Sequence, residues 1–169
     1  MNDDNEFRGA KYSPGLNRVT IAKLVRVDVK AAMKQGVLPK GIKVSVRCSG
    51  SSIRATITAY PGPVLNPAWV FANSASVFEP RCRALHTAPV MAACEVLESI
   101  LRDYLRDASD IQTDYFNCNF YSSVSVDTDN NVERDSLLES PELADLKVAK
   151  AAGRDITGQL NAYDTSGNQ

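Results

Sequence analysis

The chain predicts an α+β domain: an antiparallel sheet of about three or more strands with helices packed on one face, in the order α-β-β-α-β-α. Three observations carry this. The segments GIKVSVRC (41–48) and SIRATITAY (52–60) alternate strictly around a short turn, Ser49-Gly50-Ser51. Two longer runs, within 18–36 and 87–106, repeat their apolar residues at the helical period. A third alternating run, from about Phe116 to Val126, follows the second of these helices.

In chain order, residues 1–16 are polar, contain the breaker Pro14-Gly15, and are expected to be mobile or irregular. RVTIAKLVRVDVKAAMKQG then reads as an amphipathic helix with Ile21, Leu24, Val25, Ala31 and Ala32 on its apolar face, interrupted only by Asp28. Gly36 and Pro39 end it. The hairpin that follows places Ile42, Val44, Val46 and Cys48 with Ile53, Ala55, Ile57 and Ala59 toward the helix. Lys43, Ser45, Arg47, Arg54, Thr56, Thr58 and Tyr60 face away from it.

PGPVLNPA is a proline-rich loop, and 69–86 is ambiguous: Trp69, Val70 and Phe71 are candidates to cap the core, Arg81 and Arg83 to lie exposed. The next helix starts at Thr87, with Pro89 in its first turn, and ends near Arg106. Its apolar stripe is Val90, Cys94, Leu97, Leu101 and Tyr104, widened by Met91, Ala93, Ile100 and Leu105. In the strand from Phe116, Cys118, Phe120, Ser122, Val124 and Val126 share one face with Phe116, against Asn117, Asn119, Tyr121, Ser123 and Ser125. DTDNN is a turn. Ser140-Pro141-Glu142 opens a last helix, which Gly153 stops. The boundaries expected are a mobile segment 1–16, one α+β domain over 17–155 and a polar tail over 156–169.

The net charge of −1 hides an asymmetry. From Arg8 to Tyr60 stand eleven Lys or Arg and one acid, Asp28; from Pro61 onward stand eight bases and sixteen acids. Such a split bears on partners, because a basic surface attracts polyanions. Lys23, Arg26, Lys30 and Lys34 follow one another at spacings of three and four along one side of the first helix, and Lys43, Arg47 and Arg54 project from the hairpin. These seven residues are the candidate nucleic-acid contacts. A polar sheet face with bases and an aromatic can hold a single strand by phosphate contact and stacking, and Asn119 and Tyr121 extend it if the third strand joins.

Other chemistry finds little footing. The sequence has no G-x-S-x-G elbow, no P-loop and no G-x-G-x-x-G, and its one histidine, His86, has no evident nucleophile partner. Cys48, Cys82, Cys94 and Cys118 form no C-x-x-C pair and read as buried free thiols. Cys82 and His86 are spaced as ligands can be, but a second ligand pair is missing. No catalytic residue, metal site or cofactor is therefore assigned. The stretch DASDIQTDYFNCNFY (107–121) leaves three readings open for its residues Asp107, Ser109, Asp110, Asp114, Tyr115, Asn119 and Tyr121. They are a Mg²⁺ site for phosphoryl transfer, turn formers bonding backbone N–H groups, and a partner-binding surface. The polar N-terminus has no hydrophobic stretch of a secretory signal, and no apolar run is long enough for a membrane span, so a cytoplasmic protein is expected.

VRVDVK (25–30), VSVR (44–47), SSI (51–53), NPA (66–68) and above all SDIQTDYFNCNFY (109–121) together resemble a large polyvalent protein-associated domain of phages and conjugative elements, over roughly residues 18–126. The resemblance implies a protein that travels with invading DNA and helps it establish, protecting it or blocking host defence, with no catalytic mechanism attached. The expected function is thus a non-enzymatic binding protein of a phage or mobile element, in the host cytoplasm, nucleic-acid-binding through its basic half. The alternatives are an inhibitor that engages a host defence complex through its acidic C-terminal half, and a metal-dependent nuclease using the aspartates.

Overall fold

Strict alternation in the two hairpin segments becomes an antiparallel pair in the computed structural model, which describes residues 6–79, 83–110 and 116–167. Strand β2 (Lys43–Ser49) and strand β3 (Ser52–Ala59) pair from Ser49↔Ser52 back to Lys43↔Ala59. Gly50, at φ 56°, supplies the left-handed turn residue that a two-residue loop needs. The elements before them are the short strand β1 (Phe7–Arg8) and helix α1 (Arg18–Lys34), whose Asn17 side chain accepts from the Thr20 N–H. After them come helices α2 (Pro67–Ala72) and α3 (Ala88–Arg102), strands β4 (Arg106–Asp107) and β5 (Tyr121–Val126), and helices α4 (Asn131–Leu138), α5 (Pro141–Ala151) and α6 (Thr157–Ala162). The class is α+β.

The expected single domain over 17–155 is instead divided. One compact unit comprises residues 1–61 and 93–128, the other 62–92 and 129–169, so α3 begins in the second and continues through the first.

In the first unit, α1 buries Ile21, Ala22, Val25, Val29 and Ala32 against Val46, Ile53, Ala55 and Ile57 of the sheet; Ala93, Leu97 and Leu101 of α3, with Tyr104 and Phe120, complete this core. Val29 replaces Leu24 on the fully buried stripe, which repeats at four, four and three residues from Ile21. The sheet order is β2-β3-β5. One expectation changes here: β5 runs parallel to β3, from Ser52↔Tyr121 to Ile57↔Val126, so the sheet is mixed rather than antiparallel. Parallel neighbours require a long crossover, and residues 60–120, with α3 among them, provide it. The strand also starts at Tyr121 rather than Phe116, which is exposed.

Asp28 interrupts the apolar stripe for a local reason. Its Oδ2 accepts from Lys11 Nζ (2.8 Å) and from the buried Tyr104 hydroxyl (2.7 Å). Burial first, and then the bond to Asp28, push the Tyr104 phenol well above its ordinary range. The same carboxylate holds the Lys11 ammonium above its usual value. Asp28→Ala leaves a buried hydroxyl without its acceptor and is expected to destabilise this unit by about 1–3 kcal/mol. Asp28→Asn, which keeps an acceptor oxygen, should lose less; denaturant midpoints of the two variants check the order.

The segment 1–16, expected to be mobile, is tied down where it is described. Phe7↔Asp107 and Arg8↔Arg106 pair antiparallel. The Gly9 and Lys11 N–H groups donate to Leu105 and Asp103 carbonyls, and the Arg102 guanidinium lies 4.6 Å over the Phe7 ring. A Cβ on Gly9 would sit 2.1 Å from the Arg102 carbonyl oxygen, so only glycine permits this approach. The α3 helix consequently ends at Arg102, four residues earlier than expected, freeing Arg106 for the ladder.

In the second unit, Phe71, Ala72, Val77, Leu143, Leu146, Ala149, Ile156 and Leu160 form a separate core. The Tyr163 ring stands edge-on to Phe71 at 5.3 Å. Residues 156–169 are therefore not a polar tail through their described part: Ile156 and Leu160 are buried, and Asp164 to Ser166 join a hydrogen-bond network around Asn66. Ser140 caps α5 as expected, accepting from the Leu143 N–H. Helix α4, where only a turn was expected before it, buries none of its residues; its Glu133 carboxylate accepts from the Val64 and Leu65 N–H groups.

Candidate nucleic-acid interface

All seven predicted basic contacts are exposed and belong to the first unit. Among the described residues none of the seven takes part in an ion pair. Glu6, Asp28 and Asp103 of this unit form ion pairs with Arg8, Arg106 and Lys11. The one acid inside the basic half is thus directed away from the basic stripe.

The sheet has a wholly polar outer face in three rows, each read across β2, β3 and β5. Ser49, Ser52 and Tyr121 form the first, Arg47, Arg54 and Ser123 the second, and Ser45, Thr56 and Ser125 the third. Arg47 lies directly opposite Arg54. Like charges in that position repel, and among the described residues the partner the pair finds is neutral: Arg54 Nε donates to Ser123 Oγ at 3.2 Å. Thr56 Oγ1 and Ser125 Oγ share a hydrogen bond of 3.0 Å. Tyr121 stands half-exposed at the end of the face.

Lys43 departs from the expected arrangement. The register shifts between Lys43 and Val44, where Thr58 is an extra residue of β3, and Lys43 lines a groove between α1 and β2. That groove, about 440 Å³, also receives Arg26 and Lys30 along its rim, with Val29, Met33 and Val44 below. Arg26 is held by the sheet: its Nε and Nη2 donate to the Val46 carbonyl at 3.2 and 2.6 Å. Lys23 and Lys34 continue the stripe on the same helix. The seven cations therefore form two surfaces on either side of β2, an edge strand among the described residues: Arg47 and Arg54 on the sheet, Arg26, Lys30 and Lys43 at the groove.

Tyr60 does not join the polar face; it packs half-buried against the core, and burial raises its phenol. Asn119 does not extend the face either. Its side chain accepts from the Arg106 N–H (2.9 Å) and donates to the Tyr104 carbonyl (2.8 Å), tying two chain segments together. Asp107 accepts from the Ser109 N–H, and Ser109 Oγ from the Asn117 N–H, so these two residues act as turn formers. Asp110 lies at the end of the same segment; Asp114 and Tyr115 fall outside the described residues. Among the described residues no group of three or more His, Cys, Asp or Glu is placed to hold a metal ion.

Arg83, expected to be exposed, is only 7% so at its side chain, 3.9 Å from Asp164. Arg81 and Cys82 fall outside the described residues. His86 is half-buried and its imidazole is held below its ordinary pKa by burial. Cys48, Cys94 and Cys118 are free and half-buried rather than buried; burial, then the nearby Glu98 and Glu95, raise the Cys94 thiol above its ordinary value. No described helix is long and apolar enough to cross a membrane.

Three signals escaped the sequence: the bulge of β3 opposite Lys43 and Val44, the fork of Arg26 on Val46, and the apolar floor beside the basic stripe. Each depends on which strand neighbours the helix. The chain matches no protein-family model, and no curated protein or solved structure is significantly similar to it.

Proposed function

We propose that the protein is a non-enzymatic binder of nucleic acid that uses the basic surfaces flanking β2. The observation that carries this reading is the Arg47–Arg54 pair. The two arginines stand opposite each other across a ladder, no described acid pairs with either, and hydroxyl side chains occupy the neighbouring positions of the face. Such a pair costs stability in the free protein, and a phosphate between the two would turn repulsion into charge-assisted hydrogen bonding. Lys23, Arg26, Lys30, Lys34 and Lys43 supply further phosphate contacts at the adjoining helix. The likeness of 109–121 to a domain that accompanies invading DNA is compatible with a role of this kind in a phage or mobile element.

Binding of this origin is salt-dependent, because each neutralised phosphate releases counterions. If all seven cations engage, log Kobs should fall against log salt with a slope of about −5 on a single strand and about −6 on a duplex. Titration of a labelled oligonucleotide at low and at roughly physiological salt tests it. Absence of binding at both salts overturns the reading.

A further inference from the structure

We propose that the ligand is single-stranded and seats an unstacked nucleobase in the groove between α1 and β2; this rests on the nucleic-acid reading above. The groove joins two unlike surfaces. Its rim is cationic, with Arg26, Lys30 and Lys43, and its floor is apolar, with Val29, Met33 and Val44. A phosphate gains from the rim and nothing from the floor. A nucleobase presents an apolar π-face beside its phosphate, and its size suits a groove of about 440 Å³. Methionine adapts to a flat ring better than a branched side chain does.

Arg26 sharpens the choice. Two of its N–H groups are spent on the Val46 carbonyl, which fixes the guanidinium plane at the groove and leaves the other donors for a phosphate or a base edge. That bond also disfavours the obvious competitor, an acidic peptide adding as a strand along β2. The Val46 carbonyl is an acceptor such a strand would need, and Arg26 already covers it. A duplex fits less well, since its bases are stacked inward and cannot reach an apolar floor.

The test uses fluorescence anisotropy on the full chain at low salt, with four labelled probes: a short single strand, the same strand made abasic throughout, its duplex, and an oligoglutamate peptide. The base-bearing strand should bind about tenfold tighter than its abasic counterpart and tighter than the duplex. Met33→Ala should narrow the gap between the base-bearing and abasic strands while leaving the salt slope unchanged. Equal affinity for base-bearing and abasic strands, preference for the duplex, or oligoglutamate binding as tightly as the single strand overturns the inference. The first two of these outcomes leave the nucleic-acid reading standing, whereas failure of all three nucleic-acid probes overturns both.

Discussion

Arg47→Glu together with Arg54→Glu is expected to weaken oligonucleotide binding by at least about a hundredfold. Hydrogen bonds to charged groups contribute about 1.5–3 kcal/mol each, and the double variant removes two such donors while adding two repulsive carboxylates. The fold should tolerate the change, because both positions are exposed and already oppose like charges. The single variants sharpen the expectation. Arg47→Glu converts the repulsive pair into an attractive one across the ladder, which should raise stability by about 0.2–1 kcal/mol while still lowering affinity. Stability and binding then move in opposite directions, a signature that general damage to the fold cannot produce. Circular dichroism melts beside anisotropy titrations read both. Unchanged affinity in the double variant would show that the outer sheet face is not the interface.

Asn66→Ala is expected to cost the second unit about 3 kcal/mol or more. Asn66 is fully buried. Its Nδ2 donates to the Ala84 carbonyl (2.8 Å) and to Asp164 Oδ1 (2.9 Å), and its Oδ1 accepts from the Ala68 and Thr165 N–H groups at 3.2 and 3.1 Å. Truncation removes the cap of α2 and strands buried polar groups, each worth about 1–3 kcal/mol when left unpaired. Hydrogen exchange should show the Ala68 and Thr165 amides losing protection before those of α1.

The same network has an acid limit. Asp164 is held below its ordinary pKa chiefly by the Ser166 hydroxyl, with help from the Ser166 N–H, Asn66 and Arg83. A carboxyl whose folded pKa is depressed stabilises the fold fully above its unfolded value, and that contribution is lost as the pH falls through the ordinary aspartate range and below. Melting of the second unit should therefore weaken at acid pH, and Asn66→Ala should show a smaller acid loss than the parent protein.

The elements legible in advance share a physical trait: a local signal strong enough to act alone. Alternation over seven or eight residues defined β2 and β3, and a cap followed by Pro marked the start of α5 at Ser140-Pro141. Helix α4 carried no such signal, because a helix that buries nothing has no apolar stripe to read. The two-residue strands β1 and β4 are too short for any period, and their existence rests on Gly9 admitting the Arg102 carbonyl. For the candidate site, the identity and exposure of the seven cations could be read from spacing. Their division into two surfaces could not, since it depends on α1 lying beside β2, which brings Lys43 to the same groove as Arg26 and Lys30.

By itself, then, the sequence determined the α+β class, the hairpin, the start of the last long helix and the basic character of the N-terminal half. Those follow from side-chain periodicity and charge, which are properties of neighbours along the chain. Tertiary structure alone decided the parallel placement of β5, the separate core that claims Ile156 and Leu160, and the groove that sets an apolar floor beside Arg26, Lys30 and Lys43. Each of these depends on contacts between residues far apart in the chain, where no local pattern specifies which partner a face will meet.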